Sequence, residues 1–305
     1  MDYINQLIHD DALKALRKLP DGAVDLAITS PPYWDAIDYG FKGQIGHTSY
    51  DKYISDMLAI WKETYRLLKP NGKLCINTPI LPISKNVISN QHTRHYKNIN
   101  NDIEFSILDK TKFLRYSLFI WKKQTSVKMF GSYPYPPNIY EDNTIEFINV
   151  FVKPGKPKKL SKAVKEASKI SQGLWLELTK QIWPIYPEDV KRVGGHPAPF
   201  PVELPARLIL MYSFKESLKN KFGGDVVLDM FVGTGATCEA AWLLGRNYIG
   251  IDLGKEYIDF AKKRLERIGD MRGKAKPWDL VRKTPNKWFS KEDDEKKTSQ
   301  MKLKY

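Results

Sequence analysis

The sequence predicts an α/β protein built around a mostly parallel sheet, and three observations support this fold class. The first 80 residues alternate helical and strand patterns, as repeated strand–helix–strand units do. A second such unit lies in residues 225–252, where a strand pattern passes through a glycine-rich turn into a helix and another strand. The chain of 305 residues is long enough for one large α/β domain with an insertion or for two small domains. Such units favour parallel strands, because the helix returns the chain to the same edge of the sheet.

Apolar spacing and turn residues predict the first elements. Residues 12–19 have helical spacing and end at a Pro-Asp-Gly turn. Residues 24–29 form a short apolar run between that turn and a proline pair, which is typical of a buried strand. Over residues 53–68, apolar side chains recur at three and four positions, which predicts an amphipathic helix. A Lys-Pro-Asn-Gly segment should stop this helix, and a further strand is expected from Lys73 to Asn77.

The chain is strongly basic, with a formal net charge of +14 and an isoelectric point near 9.4. This excess favours a polyanionic partner, because contacts with phosphates release counterions. Only two cysteines are present, Cys75 and Cys238, which argues against a disulfide framework and a cysteine-based metal site. No apolar run reaches the roughly 18 residues of a membrane span, and the first residues lack a secretory signal. We therefore expect a cytoplasmic protein with a nucleic-acid partner, no membrane association and no metal.

Three stretches depart from the alternating pattern. Residues 84–112 are polar and rich in asparagine, and we interpret them as an excursion from the core. Residues 153–169 are rich in lysine and begin with two prolines, which indicates a linker entering a basic helix. The residues from Asp270 onwards are charged and poor in aliphatic side chains, so we expect them to be peripheral or partly disordered.

The glycine-rich turn after the predicted strand over 225–231 indicates a nucleoside-binding site. Gly233 and Gly235 let the backbone approach a ligand without a Cβ clash. The next strand ends at Asp252, whose carboxylate can accept hydrogen bonds from both ribose hydroxyls. A dinucleotide fingerprint would carry a third glycine where Cys238 stands, so a ligand without phosphates, such as S-adenosyl-L-methionine, fits better. A glycine turn of purely structural use is the alternative interpretation.

A Ser-Pro-Pro-Tyr segment, residues 30–33, directly follows the predicted strand over 24–29. Two consecutive prolines fix two φ angles and remove two N–H donors, so carbonyls stay available to accept hydrogen bonds from an amino group. Tyr33 offers a flat face on which a base taken out of a duplex can stack. A lone proline pair would be interpreted as a strand terminator, but its place after a buried strand and the glycine turn elsewhere favour a functional site.

With these segments in place, the chain resembles the amino-methyltransferase family of DNA methyltransferases, in the arrangement called the β class. The matches cover most of residues 1–268 and follow one another in the family's order. The matching segments are Asp11-Ala12-Leu13, Leu19-Pro20-Asp21-Gly22, Val24-Asp25-Leu26, Ser30-Pro31-Pro32-Tyr33, Gly43-Gln44-Ile45-Gly46, Arg66-Leu67-Leu68-Lys69-Pro70-Asn71-Gly72, Trp121-Lys122-Lys123, Gly131-Ser132-Tyr133-Pro134, Glu146, His196-Pro197-Ala198-Pro199-Phe200-Pro201, Asp229-Met230-Phe231-Val232-Gly233-Thr234-Gly235 and Gly245-Arg246-Asn247-Tyr248-Ile249-Gly250-Ile251-Asp252.

The resemblance implies a seven-stranded, mostly parallel sheet with helices on both faces, the class I S-adenosylmethionine methyltransferase fold. The order is circularly permuted, since the catalytic half precedes the cofactor half. The resemblance also implies S-adenosyl-L-methionine as the cofactor and double-stranded DNA as the substrate. The expected segments are the catalytic half (1–152), a small inserted target-recognition region (153–195), the cofactor-binding half (196–268) and a charged C-terminal extension (269–305).

Roles follow from the resemblance, residue by residue. The target base would be held by the catalytic residues Ser30, Pro31, Pro32 and Tyr33. The cofactor would be bound by Asp11 near the adenine, Phe200 and Pro201 near the methionine portion, Asp252 on the ribose, and the loop residues Asp229, Phe231, Gly233, Thr234, Gly235 and Thr237. Met230 and Val232 depart from the more usual proline and alanine or serine of the loop. These exchanges are apolar and should not harm binding.

Ser30 favours methylation of cytosine N4, since the family usually carries Asp or Asn at this place for adenine N6, which stays the alternative. The Pro31 carbonyl and Ser30 Oγ would accept hydrogen bonds from the amino group while the methyl is transferred directly. Cytosine C5 methylation would need a thiolate in a Pro-Cys pair, whereas Cys75 and Cys238 fit small core residues. An RNA or protein-glutamine methyltransferase usually has Asn before Pro-Pro-Tyr. A DNA-binding relative without catalysis would have lost the cofactor residues.

The basic stretch supplies the candidate DNA contacts. The residues we expect to contact DNA are Lys156, Lys158, Lys159 and Lys162, which suit phosphates, and Arg192, which could reach base edges. A solvated basic face is the alternative interpretation. A monomer and a homodimer both stay open, and a cognate restriction endonuclease often accompanies such an enzyme.

Overall fold

A single mixed sheet organises the part of the chain that the computed structural model describes, which comprises residues 3–34, 43–82, 96–126, 128–188, 199–217, 219 and 221–282. The strands are β1 (Gln6–His9), β2 (Val24–Thr29), β3 (Leu68–Thr78), β4 (Leu81–Pro82), β5 (Tyr96–Lys97), β6 (Leu114–Lys123), β7 (Phe130–Gly131), β8 (Ile139–Tyr140), β9 (Ile145–Val152), β10 (Ile182–Ile185), β11 (Val226–Asp229) and β12 (Asn247–Asp252). Eight of them form the main sheet in the order β1-β12-β11-β2-β3-β9-β6-β10. The other four form two short pairs, β4 with β5 and β7 with β8.

The main sheet is parallel except at one strand. β9 runs antiparallel to both of its neighbours, β3 and β6. The parallel strands therefore all end at one edge of the sheet, which we call the C-terminal edge, and β9 begins there. The expectation of seven strands is corrected to eight, because β10 adds to β6 in parallel with Trp183 opposite Trp121. This eighth strand comes from the segment that the sequence assigned to an inserted recognition region.

Helices cover both faces of the sheet, as predicted. They are α1 (Ala12–Lys18), α2 (Tyr50–Leu67), α3 (Ile99–Lys110), α4 (Lys162–Ala167), α5 (Gln172–Leu178), α6 (Glu203–Tyr212), α7 (Ala236–Leu243), α8 (Lys255–Ile268) and α9 (Pro277–Leu280). Two buried apolar clusters result, one containing residues of α1 to α3 and the other containing residues of α5 to α8. Strand β2 contributes side chains to both clusters. Ala27 packs in the first cluster, and its neighbours Leu26 and Ile28 pack in the second. This alternation places the core on both sides of the sheet.

The predicted amphipathic helix is α2, whose buried side chains recur at three and four positions from Tyr53 to Leu67. It ends at Leu67, within one residue of the predicted end, but the Lys-Pro-Asn-Gly segment lies inside β3, which therefore begins earlier than the expected Lys73. Asn71 adopts a φ of 65°, and the register of β3 with β2 shifts between Val24 and Leu26. A bulge therefore absorbs residues that usually break regular structure.

The prediction that the asparagine-rich residues 84–112 leave the core is partly wrong. Residues 83–95 lie outside the described residues, but 99–110 form α3. Its side chains Ile99, Ile103 and Ile107 are buried in the first cluster. Isoleucines at every fourth position are the sequence signal for a helix. The polar residues around them dominate the composition, from which an excursion was predicted instead.

The segment expected to be an insertion also joins the core. Leu174 and Leu178 of α5 and Trp183 of β10 are buried in the second cluster. Beyond α8, Val281 is fully buried, so the start of the C-terminal extension packs on the domain; residues 283–305 lie outside the described part. The boundaries of the four segments stay a prediction.

Candidate active site

A cleft opens at the C-terminal edge, where β2, β11 and β12 end. It holds about 890 Å³, including its open mouth. Its described lining combines the segment after β2, the glycine turn after β11, the end of β12 and the residues before α6. The lining residues are Asp11, Ala12, Ser30, Pro32, Tyr33, Gly43, Gln44, Ile45, Pro199, Phe200, Met230, Phe231, Val232, Gly233, Thr234, Ala236, Asp252, Leu253 and Tyr257. The structure thus brings together segments that lie more than 200 residues apart in the chain.

Asp252 is the acidic residue that the sequence predicted at the end of β12. Its Oδ2 accepts a hydrogen bond from the backbone N–H of Gly233, and its Oδ1 accepts one from Gly254, both at 2.8 Å. Burial raises the pKa of this carboxyl, while the two backbone N–H groups lower it. A carboxylate has about four lone-pair positions, so it can still accept hydrogen bonds from a ligand in the cleft.

Asp229 has a structural role that the sequence did not distinguish from ligand binding. Its carboxylate accepts hydrogen bonds from the hydroxyls of Thr29 at 2.8 Å and Thr237 at 2.6 Å, and from the N–H of Phe231 at 3.1 Å. Complete burial raises its pKa to about 6. Asp229 and Thr237 do not line the cleft. Their hydrogen bonds join β2, the glycine turn and α7 to one another, and direct contact of either residue with the cofactor stays a prediction.

The two glycines of the turn have different functions. Gly233 lines the cleft and adopts a φ of 48°, which favours glycine. Gly235 caps α7 with a φ of 86°, and a Cβ at this position would lie 2.8 Å from the Cβ of Ala261 on α8. Gly235 therefore permits helix packing and lies behind the cleft. Phe200 lines the cleft, and the neighbouring Pro201 is buried.

The charge of the cleft distinguishes between ligands. Two carboxylates face it, those of Asp11 and Asp252, and its described lining contains no lysine, arginine or histidine. The Asp11 side chain also caps α1 by accepting a hydrogen bond from the N–H of Lys14 at 2.9 Å. The described lining offers a pyrophosphate no cationic partner, whereas a nucleoside that carries a positive charge suits its two carboxylates.

The Ser-Pro-Pro-Tyr segment lines the cleft through Ser30, Pro32 and Tyr33, with Pro31 buried. Ser30 Oγ lies 2.8 Å from the Tyr33 hydroxyl and 3.2 Å from the carbonyl oxygen of Asn77, to which it can donate. The Tyr53 hydroxyl donates to the Pro32 carbonyl at 2.9 Å, which joins the segment to α2. Neighbouring elements therefore hold the serine and the tyrosine in place.

Glu146 completes this network and had no role in the sequence analysis. It lies at the start of β9 and is almost fully buried. Its carboxylate accepts hydrogen bonds from the Tyr33 hydroxyl at 3.2 Å and from the Asn77 side-chain amide, and it pairs with the Lys123 ammonium at 2.5 Å. The sequence signal for such a role is an acidic residue within an otherwise apolar strand pattern. Burial of a carboxylate costs free energy unless hydrogen-bond donors or cations surround it.

The basic run lies away from the cleft. Lys153 pairs through its backbone with Gly72 and Asn71, at the edge of the sheet opposite the C-terminal edge. The exposed Lys156, Lys159 and Lys162 follow it in the chain. Their contact with DNA stays a prediction. Arg192 lies outside the described residues.

Lys158 forms salt bridges with two buried aspartates. Its ammonium bridges the buried carboxylates of Asp25, at 2.7 Å, and Asp225. Burial alone would raise the pKa of Asp25, but Lys158 and Lys69 outweigh it and lower the pKa. Burial and the neighbouring Asp25 raise the pKa of Asp225. Lys158 thus neutralises two adjacent acids at the start of β2 and β11, and its assignment to DNA is corrected.

Within the described ranges, no cluster of His, Cys, Asp and Glu could hold a metal ion. The helices of the same ranges include none that is both long and apolar enough to cross a bilayer. Both cysteines are buried, and burial raises the pKa of their thiols, as expected of core residues.

Comparisons with known proteins agree with this geometry. A family model described as DNA methylase matches residues 24–263. Two similar sequences are the Type II methyltransferases M.MjaI of Methanocaldococcus jannaschii and M.Cfr9I of Citrobacter freundii. The first is 29% identical, covering 87% of this chain and 93% of its own. The second is 28% identical, covering 85% and 87%.

Solved structures extend the likeness. A DNA modification methylase of Thermus thermophilus, solved with S-adenosyl-L-methionine, is 31% identical with a TM-score of 0.69, covering 86% of this chain and 93% of its own. The cytosine-N4-specific PvuII DNA methyltransferase is 18% identical with a TM-score of 0.63, covering 90% and 89%, and at this identity the likeness concerns the fold.

Proposed function

The chain belongs to the DNA methylase family, and from this premise we propose that it transfers a methyl group from S-adenosyl-L-methionine to the N4 amino group of cytosine in double-stranded DNA. The observation that carries the proposal is the placement of Ser30 and Tyr33. Both line a cleft that also contains Asp252 and the glycine turn. Cofactor and amino group would therefore meet at the C-terminal edge.

The cleft suits S-adenosyl-L-methionine by its chemistry. Asp252 would accept hydrogen bonds from the ribose hydroxyls, and Asp11 and Phe200 would lie against the adenine and the methionine portion. The acidic lining is compatible with a sulfonium cation, and the described lining residues offer no cationic partner for a phosphate. When bound, S-adenosyl-L-methionine supplies the methyl group. The protein's residues supply the position of the amino group and a path for its proton.

Activation of the cytosine N4 amino group depends on protein groups that accept hydrogen bonds from it. The N4 lone pair of cytosine is delocalised into the ring, so acceptors that draw on the amino hydrogens restore its nucleophilic character. We assign this task to Ser30 Oγ and the Pro31 carbonyl. The Ser30 hydroxyl can donate to Tyr33 or to Asn77, which leaves a lone pair to accept from the substrate. Fixed dipoles of this kind act mainly in the transition state.

The nitrogen that gains the methyl group must lose one proton. A route leads from Ser30 Oγ through the Tyr33 hydroxyl, 2.8 Å away, to Glu146 Oε2, a further 3.2 Å away. As Ser30 takes the proton, its own would pass to Tyr33 and that of Tyr33 to Glu146. The carboxylate ends with the proton, and both hydroxyls are regenerated. Lys123 and Asn77 hold the carboxylate in place to receive it.

Ser30 also supports the choice of cytosine N4. A serine contributes one hydroxyl where the adenine-specific members of the family usually carry an Asp or Asn side chain. Adenine N6 is the alternative outcome of the same chemistry. Because the similar proteins M.MjaI and M.Cfr9I are Type II methyltransferases, we also propose that this chain protects DNA from a cognate restriction endonuclease.

Nucleoside analysis tests the proposal. Unmethylated plasmid DNA is incubated with the purified protein and S-adenosyl-L-methionine, digested to nucleosides and separated by chromatography with mass detection. We expect N4-methylcytosine, and we expect Ser30→Ala to reduce it about 100-fold. N6-methyladenine instead would reassign the target base. Failure to methylate any DNA, with calorimetric binding of S-adenosyl-L-methionine intact, would favour a DNA-binding relative without catalysis.

A further inference from the structure

A short hairpin between β6 and β9 exposes an unusual amount of apolar surface. This aromatic hairpin comprises residues 128–140, with strands β7 and β8. Its large exposed side chains, with their exposed fractions, are Met129 (77%), Phe130 (46%), Tyr133 (75%), Tyr135 (72%) and Ile139 (72%). Single exposed apolar residues are normal on a surface, but several within about a dozen residues indicate a contact surface.

Internal hydrogen bonds hold the hairpin in one shape. The N–H of Ser132 donates to the carbonyl of Asn138 at 2.8 Å, and its hydroxyl donates to the carbonyl of Tyr135 at 2.5 Å. A Cβ at Gly131 would lie 1.9 Å from the Asn138 oxygen, so the two strands approach as closely as glycine allows. The N–H of Lys128 donates to Asp142 at 2.9 Å and anchors the base. These hydrogen bonds therefore give the backbone that carries the exposed tyrosines a defined conformation.

The base of the aromatic hairpin lies against the catalytic network. β6 enters it after Lys123, and β9 leaves it at Ile145. Lys123 pairs with Glu146, which accepts a hydrogen bond from Tyr33. The aromatic hairpin therefore rises from the C-terminal edge, where a base drawn into the cleft must leave its duplex.

Cations and acids are both found around the hairpin. Lys122 and Lys128 lie before its aromatic side chains, whereas Glu141 and Asp142 follow them at the base, where Asp142 accepts the hydrogen bond of the Lys128 N–H. Lysines flanking aromatic side chains are the combination that nucleic acids require, because the cations meet phosphates and the rings meet base faces. A second copy of the chain seated on the hairpin would obstruct a duplex at the same edge of the sheet, next to the cleft.

We propose that the aromatic hairpin contacts the duplex beside the extruded base, with Tyr133 and Tyr135 stacking against the base pairs that flank the vacated position. This inference rests on the proposed function. Extrusion costs unstacking and unpairing, a few kcal/mol when the base is correctly paired and less when it is mispaired. Rings that occupy the opened stack offset this cost. Their contribution is therefore largest on a fully paired target.

The experiment compares a double variant, Tyr133→Ala with Tyr135→Ala, on two duplexes. Both carry the sequence that the wild type methylates, identified from plasmid DNA; in one the target base is paired, and in the other it is mispaired. Single-turnover methyl transfer is measured at subsaturating DNA. On the paired duplex we expect a loss of about 10- to 100-fold, from about 1–3 kcal/mol per stacked base. On the mispaired duplex we expect a loss within about threefold.

Tyr116→Ala is the matched control, since Tyr116 is half exposed at the opposite end of β6, and it should act like the wild type. Equal rates of wild type and double variant on the paired duplex would refute the inference. So would equal losses on both duplexes, which indicate a general defect, or a change from dimer to monomer in sedimentation, which indicates contact between copies. If the double variant does not fold, Tyr135→Ala alone repeats the comparison. A wild type without methylation of any DNA refutes the proposed function, and this inference with it.

Discussion

Tyr33→Phe is expected to slow methyl transfer without weakening the binding of DNA or cofactor. The substitution keeps the ring that would stack on the extruded base and removes only the hydroxyl. That hydroxyl lies between Ser30 Oγ, at 2.8 Å, and Glu146 Oε2, at 3.2 Å. Its loss interrupts the path from the serine to the carboxylate and removes one of the groups that orient the serine.

The size of the effect follows from the hydrogen bonds that are lost. A hydrogen bond to a charged group contributes about 1.5–3 kcal/mol. Each ~1.4 kcal/mol in the transition state changes the rate about tenfold. We therefore expect Tyr33→Phe to lower the single-turnover rate about 10- to 100-fold, with affinities changed less than about threefold. Glu146→Gln should have a similar effect, and the double variant should be little worse than either, because both interrupt one path.

The assay is rapid-quench transfer of a labelled methyl group with saturating DNA and cofactor. Tyr53→Phe is the matched control: it removes a tyrosine hydroxyl that donates to the Pro32 carbonyl but is outside the path. It should stay within about threefold of wild type. A wild-type rate for Tyr33→Phe would remove the path from the mechanism. Equal losses in both variants would indicate loosening of the loop instead.

Three further predictions concern the cofactor and the fold. Asp252→Ala should weaken S-adenosyl-L-methionine binding about 10- to 100-fold by calorimetry, because charge-assisted acceptors are lost; unchanged affinity in a folded variant would contradict the ribose role. Lys158→Met should lower the free energy of unfolding in urea by on the order of 3 kcal/mol, because two buried carboxylates lose their cation, whereas the exposed Lys159→Met should have little effect; similar values for both would disprove the structural role. Since burial raises the pKa of Asp229 to about 6, above the roughly 3.9 of an unfolded chain, its contribution to stability is full below pH 4 and is lost as the pH rises through 6. Asp229→Asn should remove this component from urea unfolding measured between pH 4 and 6, and an unaltered pH profile would refute the assignment.

Two kinds of local signal placed the candidate residues at one edge of the sheet. The glycine turn and the proline pair each follow an apolar strand pattern, and strand ends meet at one edge of a parallel sheet. The sequence therefore predicts Ser30, Tyr33, Gly233 and Asp252 in one cleft, which they line together. The same local patterns do not say which side of a turn faces the ligand. The sequence therefore does not predict that a Cβ at Gly235 would point at Ala261 of α8.

Composition was a weaker guide than spacing. The asparagine-rich stretch hid α3, although its isoleucines recur every four positions. The lysine-rich stretch suggested a DNA contact, but Lys158 neutralises two buried acids. Charge can be counted from a sequence, whereas the partner of each charge depends on residues that are far apart in the chain.

The sequence by itself determined the α/β class, the family and the two motifs, because apolar periodicity and turn residues act within a few positions of one another. Only the tertiary structure decided which polar groups are joined. Glu146 lies 113 residues from Tyr33 in the chain, yet its carboxylate accepts the hydrogen bond of the tyrosine because antiparallel β9 begins where β2 and β3 end. A buried carboxylate is tolerated only where such partners converge, and convergence is a property of strand order and direction, which no local pattern encodes.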